Sequence, residues 1–179
     1  MRDLSEHIMD IIQNSVRANA SLVELEIIED VKADVYKLIF KDNGCGMSPD
    51  VLAKVEDPFF TSRTTRKVGL GISLLKQNAE QTGGYLNIRS EEGKGTDLEV
   101  VFSHSNIDRP VLGNIAETMM LLVGANPEMD FIYKHKTQEG EYVFDTKEVK
   151  EVLEEVALND PNILIYLKEI INENVNTII

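Results

Sequence analysis

The chain predicts an α+β fold, a two-layer sandwich in which a mixed sheet carries helices on one face. Three observations lead to it. Residues 3–19 repeat apolar side chains three and four apart, the period of a buried helical face. Residues 21–28, "SLVELEII", alternate Val23, Leu25 and Ile27 against Glu24 and Glu26, as a strand with one wet face does. Two more strand-like runs, "YLNIRS" and "TDLEVVF", flank the turn "EEGKG" and close the region as a pair.

In the first helix Leu4, Ile8, Ile11, Ile12 and Ser15 share the inward stripe. Asp3 is placed to cap it, with Glu6 three residues later, close to a capping box. After the alternating strand, "EDVKAD" is a short link to a second strand over 34–40. Then "KDNGCGM" sets a carboxylate, an amide and two glycines around the only cysteine. "SPDVLAKV" reads as a short helix, Ser48 its N-cap and Pro49 its first position. Residues 57–68, "DPFFTSRTTRKV", follow no period and hold three basic side chains. "GLGISLLKQNAEQTGG" starts a helix near Gly69 and stops it at Gly83–Gly84.

A length of 179 residues bounds the chain to one domain, or one with an extension. No apolar run nears the roughly 20 residues that span a bilayer. "MRDLSEHIMD" has no stretch of signal-peptide type. A single Cys makes no internal disulfide, which fits a reducing cytoplasm. A net charge of −13 argues against general nucleic-acid binding. The charge is uneven. Residues 1–103 hold 12 Lys/Arg against 17 Asp/Glu, net −5, and 104–179 hold 6 against 14, net −8. The polar stretch "SHSNIDRP" joins the two parts. The expected division is 1–104, an α+β domain, and 105–179, a small α+β extension.

Several motifs carry both a functional and a plain reading. His7, Asp10 and Asn14 lie along one helical stripe. An Asp and an Asn one turn apart suit a water and a hydrated Mg²⁺, which prefers oxygen; the plain reading is a solvated polar stripe. In "DNGCGM", a carboxylate at a strand end can accept from an exocyclic amine, and glycines let a flat ring approach; the plain reading is an Asx–Gly turn. "GLG" at 69–71 can present N–H groups to phosphate; it is not the P-loop pattern and equally serves as a tight loop–helix junction. Arg63, Arg66 and Lys67 stand just before it and are either phosphate ligands or a solvated basic loop. "GKGT" at 93–96 also reads as a hairpin turn.

Taken in order, "HIMDIIQNSVRANA", "DNGCGM", "DPFFTSRTTRKVGLGISLLK" and "TGGYLNIRSEEGKGTDLEVVF" resemble the ATP-binding domain of the GHKL superfamily over roughly residues 3–103. That group holds sensor histidine kinases, gyrase B, Hsp90, MutL and anti-sigma serine kinases, and the histidine-kinase type is the nearest in look. The resemblance implies a Bergerat fold and ATP with Mg²⁺ as ligands. It implies that Asp42 reads adenine N6, that Gly44, Gly46 and Met47 wall the base, and that Asn14 ligates Mg²⁺. Asp10 falls at the water-activating position. Phe59, Phe60 and Thr61 lie in the "PFFTSR" segment that opens the ATP lid, with Arg63 and Lys67 as its phosphate-facing bases. Gly69, Leu70 and Gly71 form the second glycine box, and Thr96 sits near the base. Three departures stand out. The lid is short, "KV" precedes GLG where a small residue is usual, and Asp10 is shorter than the Glu of hydrolysing members.

No helical hairpin with a phospho-accepting His fits before residue 3, so an acceptor on another protein is expected. His7 reads as a partly buried or capping side chain, and His104 and His135 as residues without ligand-like neighbours. In the tail, 111–124 reads as a helix and "MDFIYKHKTQEGEYVFDT" as a hairpin. Two helices follow, with Val149, Val152, Leu153 and Val156, then Ile163, Leu167, Ile170 and Ile171, as inward faces. Their surfaces are core or, alternatively, a homodimer contact. The resemblance implies one of two functions: a cytoplasmic regulatory ATPase or protein kinase, or a non-catalytic ATP/ADP sensor that controls a protein partner.

Overall fold

The computed structural model describes residues 3–57 and 71–179. Phe59, Phe60, Thr61, Arg63, Arg66, Lys67, Gly69 and Leu70 lie outside the described residues. Helix α1, Leu4–Arg17, begins at Asp3, whose side chain accepts from the Glu6 N–H at 3.0 Å. It buries Leu4, Ile8, Ile11, Ile12 and Ser15, the stripe read from the spacing. Strands β1, Leu22–Asp30, and β2, Val35–Asp42, pair antiparallel. The short α2, Pro49–Leu52, is capped by Ser48. Helix α3, Gly71–Gln81, ends before Gly83, which has φ +83°. Strands β3, Tyr85–Glu91, and β4, Gly95–Ser103, follow.

Beyond them come α4, Ile115–Ala125, β5, Asp130–Lys136, β6, Glu141–Asp145, α5, Thr146–Leu153, and α6, Pro161–Ile178. The sheet order is β3-β4-β2-β1-β5-β6. All neighbours are antiparallel except β1 and β5, so the sheet is mixed. Residues 105–179 thus have no sheet of their own. Their strand pair extends the first one, and one core runs from Leu4 and Leu25 through Tyr133 to Leu167 and Ile171.

The tail differs from its expected elements in three places. The helix expected from 111 starts at Ile115, because Val111 and Leu112 are engaged elsewhere. Their carbonyls each take an N–H from Leu4 and Ser5 at 2.8 Å, satisfying donors that the first turn of α1 leaves free. Second, α5 stops at Leu153, where Glu154 turns to φ +51°. Val152, inside α5, is 83% exposed, and Val156, past the helix end, is 51% exposed, whereas Val149 and Leu153 are half-buried. In α6, Leu167 and Ile171 are buried as expected, while Ile163 and Ile170 are half-buried.

Third, His104 and His135 do have a charged neighbour. His135 Nε2 lies 2.7 Å from Glu29 Oε1 and His104 Nε2 3.5 Å from Glu29 Oε2. Tyr133 Oη holds the other His135 nitrogen at 2.7 Å. These groups come from β1, β5 and the end of β4, so only the paired sheet brings them together. Burial works to raise the Glu29 pKa, but hydrogen bonds and charge from His135, then His104, outweigh it and hold it below its ordinary value. A depressed carboxyl contributes stability above its unfolded pKa, and that contribution is lost as pH falls through the folded value. Glu29→Gln is expected to cost about 1–3 kcal/mol at neutral pH, with the difference from the natural chain closing as the medium becomes acid enough to protonate Glu29. Urea unfolding across an acid titration reads this; a pH-independent difference would exclude the linkage.

Candidate functional site

At the end of the sheet away from Glu29, a cavity of about 470 Å³ opens between α1, the β2 terminus, α2 and the start of α3. Asp10, Asn14, Asp42, Gly46, Met47, Gly71 and Thr96 line it, seven of the residues singled out in the sequence. Gly44 is buried and is not among the lining residues. Phe60, Thr61, Arg63, Lys67, Gly69 and Leu70 fall outside the described residues.

Asp42 is the last residue of β2, in register with Val23 on one side and Thr96 on the other. Strand alternation places it on the face of Leu38 and Phe40, under α1. Its Oδ1 accepts from the Gly44 N–H at 2.9 Å and its Oδ2 from Ser15 Oγ at 2.7 Å. Two donors hold the carboxylate still, and each oxygen keeps a further lone pair for a ligand.

The glycines around it answer to contact distance. A Cβ on Gly44 would stand 2.7 Å from Ala18 Cβ. On Gly46, at φ +66°, it would stand 2.0 Å from the Glu91 carbonyl oxygen. The loop is pressed onto the β3–β4 turn, where Gly93 N–H donates to Cys45 O at 2.7 Å and Met47 N–H to Ser90 Oγ at 2.9 Å. Ser90 gives its own proton to Gly95 O at 2.8 Å. The 2.9 Å contact between Ser90 and Thr96 must then use the Thr96 proton, which leaves Thr96 an acceptor.

The other end of the cavity is polar. Asp10 lies against the first residue of α3, and a Cβ on Gly71 would sit 1.7 Å from Asp10 Oδ2. A helix N-terminus presents unpaired N–H groups and favours negative charge. Asn14, one turn along α1, accepts from Arg17 Nη1 at 2.8 Å. His7 continues the stripe but turns inward, only 1% exposed. Its Nε2 meets Asn78 Nδ2 at 3.0 Å, and burial lowers its pKa. It neither caps the helix nor lines the cavity.

Sequence reading missed Ser15 and Arg17. Ser15 falls on the core stripe by spacing, and nothing local marks a hydroxyl that reaches a residue 27 positions away. Arg17 follows Asn14 at a helical spacing of three, a signal that was available. Ile11, Ile72, Val51, Val55 and Leu98 add apolar walls. The cavity therefore offers an apolar slot with one fixed carboxylate, joined to a polar end with an acid, an amide and a guanidinium. That combination suits a flat ring bearing an amine at one end and an anionic group at the other.

The family model described as histidine kinase-, DNA gyrase B-, and HSP90-like ATPase matches residues 2–106. Sensor kinase CckA of Brucella abortus is 40% identical over 70 residues, 38% of this chain and 7% of that kinase. Sensor protein kinase FleS of Pseudomonas aeruginosa is 36% identical over 90 residues, 50% of this chain and 22% of that kinase. The chain thus spans a small part of these relatives. Among solved structures, the N-terminal domain of a DNA repair protein superposes with a TM-score of 0.55 at 17% identity, covering 80% of this chain and 52% of that one. The Aquifex aeolicus MutL ATPase domain complexed with ADP gives 0.50 at 20% identity, covering 86% and 69%. At such identities the structural likeness speaks for the fold alone. The mixed sheet, the helices upon it and the match over 2–106 together place this chain in the histidine kinase-, DNA gyrase B- and HSP90-like ATPase family.

Proposed function

We propose that the cavity binds Mg-ATP and that the chain is a cytoplasmic regulatory ATPase or protein kinase acting on or through a protein partner. The observation that carries this reading is the Asp42 carboxylate, fixed by Ser15 and Gly44 inside a cavity whose other end holds Asp10, Asn14 and Arg17. Asp42 accepts the adenine amine, and Thr96 offers a second acceptor beside it. Apolar Ile11, Met47 and Leu98 flank the ring. Arg17 meets phosphate charge, as do Arg63 and Lys67 on the reading drawn from the family resemblance.

Asn14 and Asp10 supply only oxygen donors, which fits Mg²⁺ and not a softer metal. Asn14 Oδ1 would hold the ion once Arg17 turns from it to phosphate. Bound there, magnesium neutralises charge on the phosphates. Asp10 is placed to orient a water or an acceptor hydroxyl. It is one methylene shorter than Glu, so hydrolysis by the isolated chain is expected to be slow.

Calorimetry tests the metal assignment. In Asn14→Ala, ATP affinity is expected to fall about tenfold or more in the presence of Mg²⁺, and the gain that Mg²⁺ brings is expected to vanish. An unchanged gain would remove Asn14 as the ligand. The shortness of Asp10 also supports a second reading, a nucleotide sensor without useful turnover. Steady-state phosphate release decides between them: a rate lost in Asp10→Asn supports catalysis, and no release above background with any acceptor supports sensing.

A further inference from the structure

A second groove, of about 340 Å³, runs between α1 and α4. Met9 from α1 and Leu121 from α4 supply its apolar lining, and Ser5, Asn114 and Thr118 add polar groups. Acidic groups line it too, with Asp3 at the cap of α1, Glu6 in its first turn and Glu117 on α4. Leu121 is 51% exposed, although its neighbour on the same helix, Leu122, is fully buried. The groove is half built by α4, which lies beyond the span that matches the family. We propose that this groove docks a basic, apolar-faced segment of a partner protein.

Charge selects the occupant. Asp3 accepts from the Glu6 N–H at 3.0 Å, and Glu117 accepts from Asn114 Nδ2 at 2.8 Å and lies 3.8 Å from Lys168, so the lining brings three carboxylates together beside Met9 and Leu121 with one ammonium near them. A second copy of a chain with net charge −13 would bring like charge to the rim. Nucleic acid is repelled for the same reason. A segment with one or two apolar side chains between lysines or arginines covers Leu121 and Met9 while its cations meet Asp3, Glu6 and Glu117. Helical stripes on both walls, at spacings of three and four, suit a third helix laid along them.

The test uses the full chain without nucleotide, so that its failure leaves the ATP reading standing. The probe is a synthetic helical peptide with leucine at positions i, i+3, i+4 and i+7 and lysine elsewhere; its glutamate counterpart is the control. Fluorescence anisotropy at physiological ionic strength is expected to show saturable one-to-one binding of the lysine peptide alone. Leu121→Lys is expected to weaken it by about tenfold. Val152→Lys, the same charge change on an exposed residue of α5, is expected to leave it within about twofold. Amide shifts in the natural chain, independent of any variant, are expected to concentrate on α1 and α4. Equal weakening by both variants, equal binding of both peptides, no saturable binding, or shifts away from the groove would each overturn the proposal. A dimer in sedimentation that Leu121→Lys dissolves would overturn it too, by giving the groove to a second copy.

Discussion

Asp42→Asn is expected to weaken ATP by about tenfold or more and to erase the preference for ATP over GTP. The carboxylate accepts from two protein donors, Ser15 Oγ and the Gly44 N–H, one on each oxygen. An amide in its place has one oxygen and one NH₂. If the oxygen keeps Gly44, the NH₂ faces the Ser15 hydroxyl, which must turn away. Either orientation then removes an acceptor from the base-facing edge. A lost hydrogen bond with a group left unsatisfied costs about 1–3 kcal/mol, and tenfold corresponds to about 1.4 kcal/mol. Guanine offers an oxygen where adenine offers an amine, so the natural carboxylate repels it. Calorimetry with both nucleotides, alongside thermal melts that confirm folding, reads the result. Equal affinity of the natural chain for ATP and GTP would end the assignment.

Gly95→Ala is expected to destabilise the chain by on the order of 3 kcal/mol, combining backbone strain with overpacking. Gly95 has φ +117°, and an added Cβ would stand 1.9 Å from the Asp42 carbonyl oxygen and 2.9 Å from the Asn43 Cα. Both contacts are backbone, so no rotamer change relieves them. The β2–β4 register must open where it holds Asp42 beside Thr96, and ATP affinity is expected to fall with stability. Gly93→Ala separates the two causes. Gly93 also has positive φ, at +80°, but nothing lies within 4 Å of its added Cβ. It is expected to cost roughly 1 kcal/mol, the price of the backbone conformation alone. Chemical denaturation of the two variants measures the gap. Equal losses would mean that the Asp42 contact does not govern the site.

Much of the fold was legible because it rests on local periods. The α1 stripe of Leu4, Ile8, Ile11 and Ile12 follows a spacing of three and four, and burial obeys it. The alternation in β1 likewise puts Val23, Leu25 and Ile27 inside. Ser48–Pro49 and Gly83 mark helix ends through capping and positive φ, which belong to the residues themselves. In α5 the same reasoning placed Val152 and Val156 inside, yet both are exposed. Period shows which residues share a face, but what covers that face depends on neighbours distant in the chain.

The order of Asn14, Asp42, the glycines and Thr96 along the chain pointed to the family, and Asn14, Asp42, Gly46, Gly71 and Thr96 line one cavity. By itself, then, the sequence determined most element types and the apolar faces of α1 and β1. Tertiary structure decided their pairing: Ser15 on Asp42, Arg17 on Asn14, and Asp10 against Gly71. It also decided that β5 lies parallel to β1, and that Glu29 meets two histidines from different strands. The reason is physical. A period is set by backbone geometry over a few residues, whereas a hydrogen bond between distant residues exists only after loop closure and packing have brought donor and acceptor within about 3 Å.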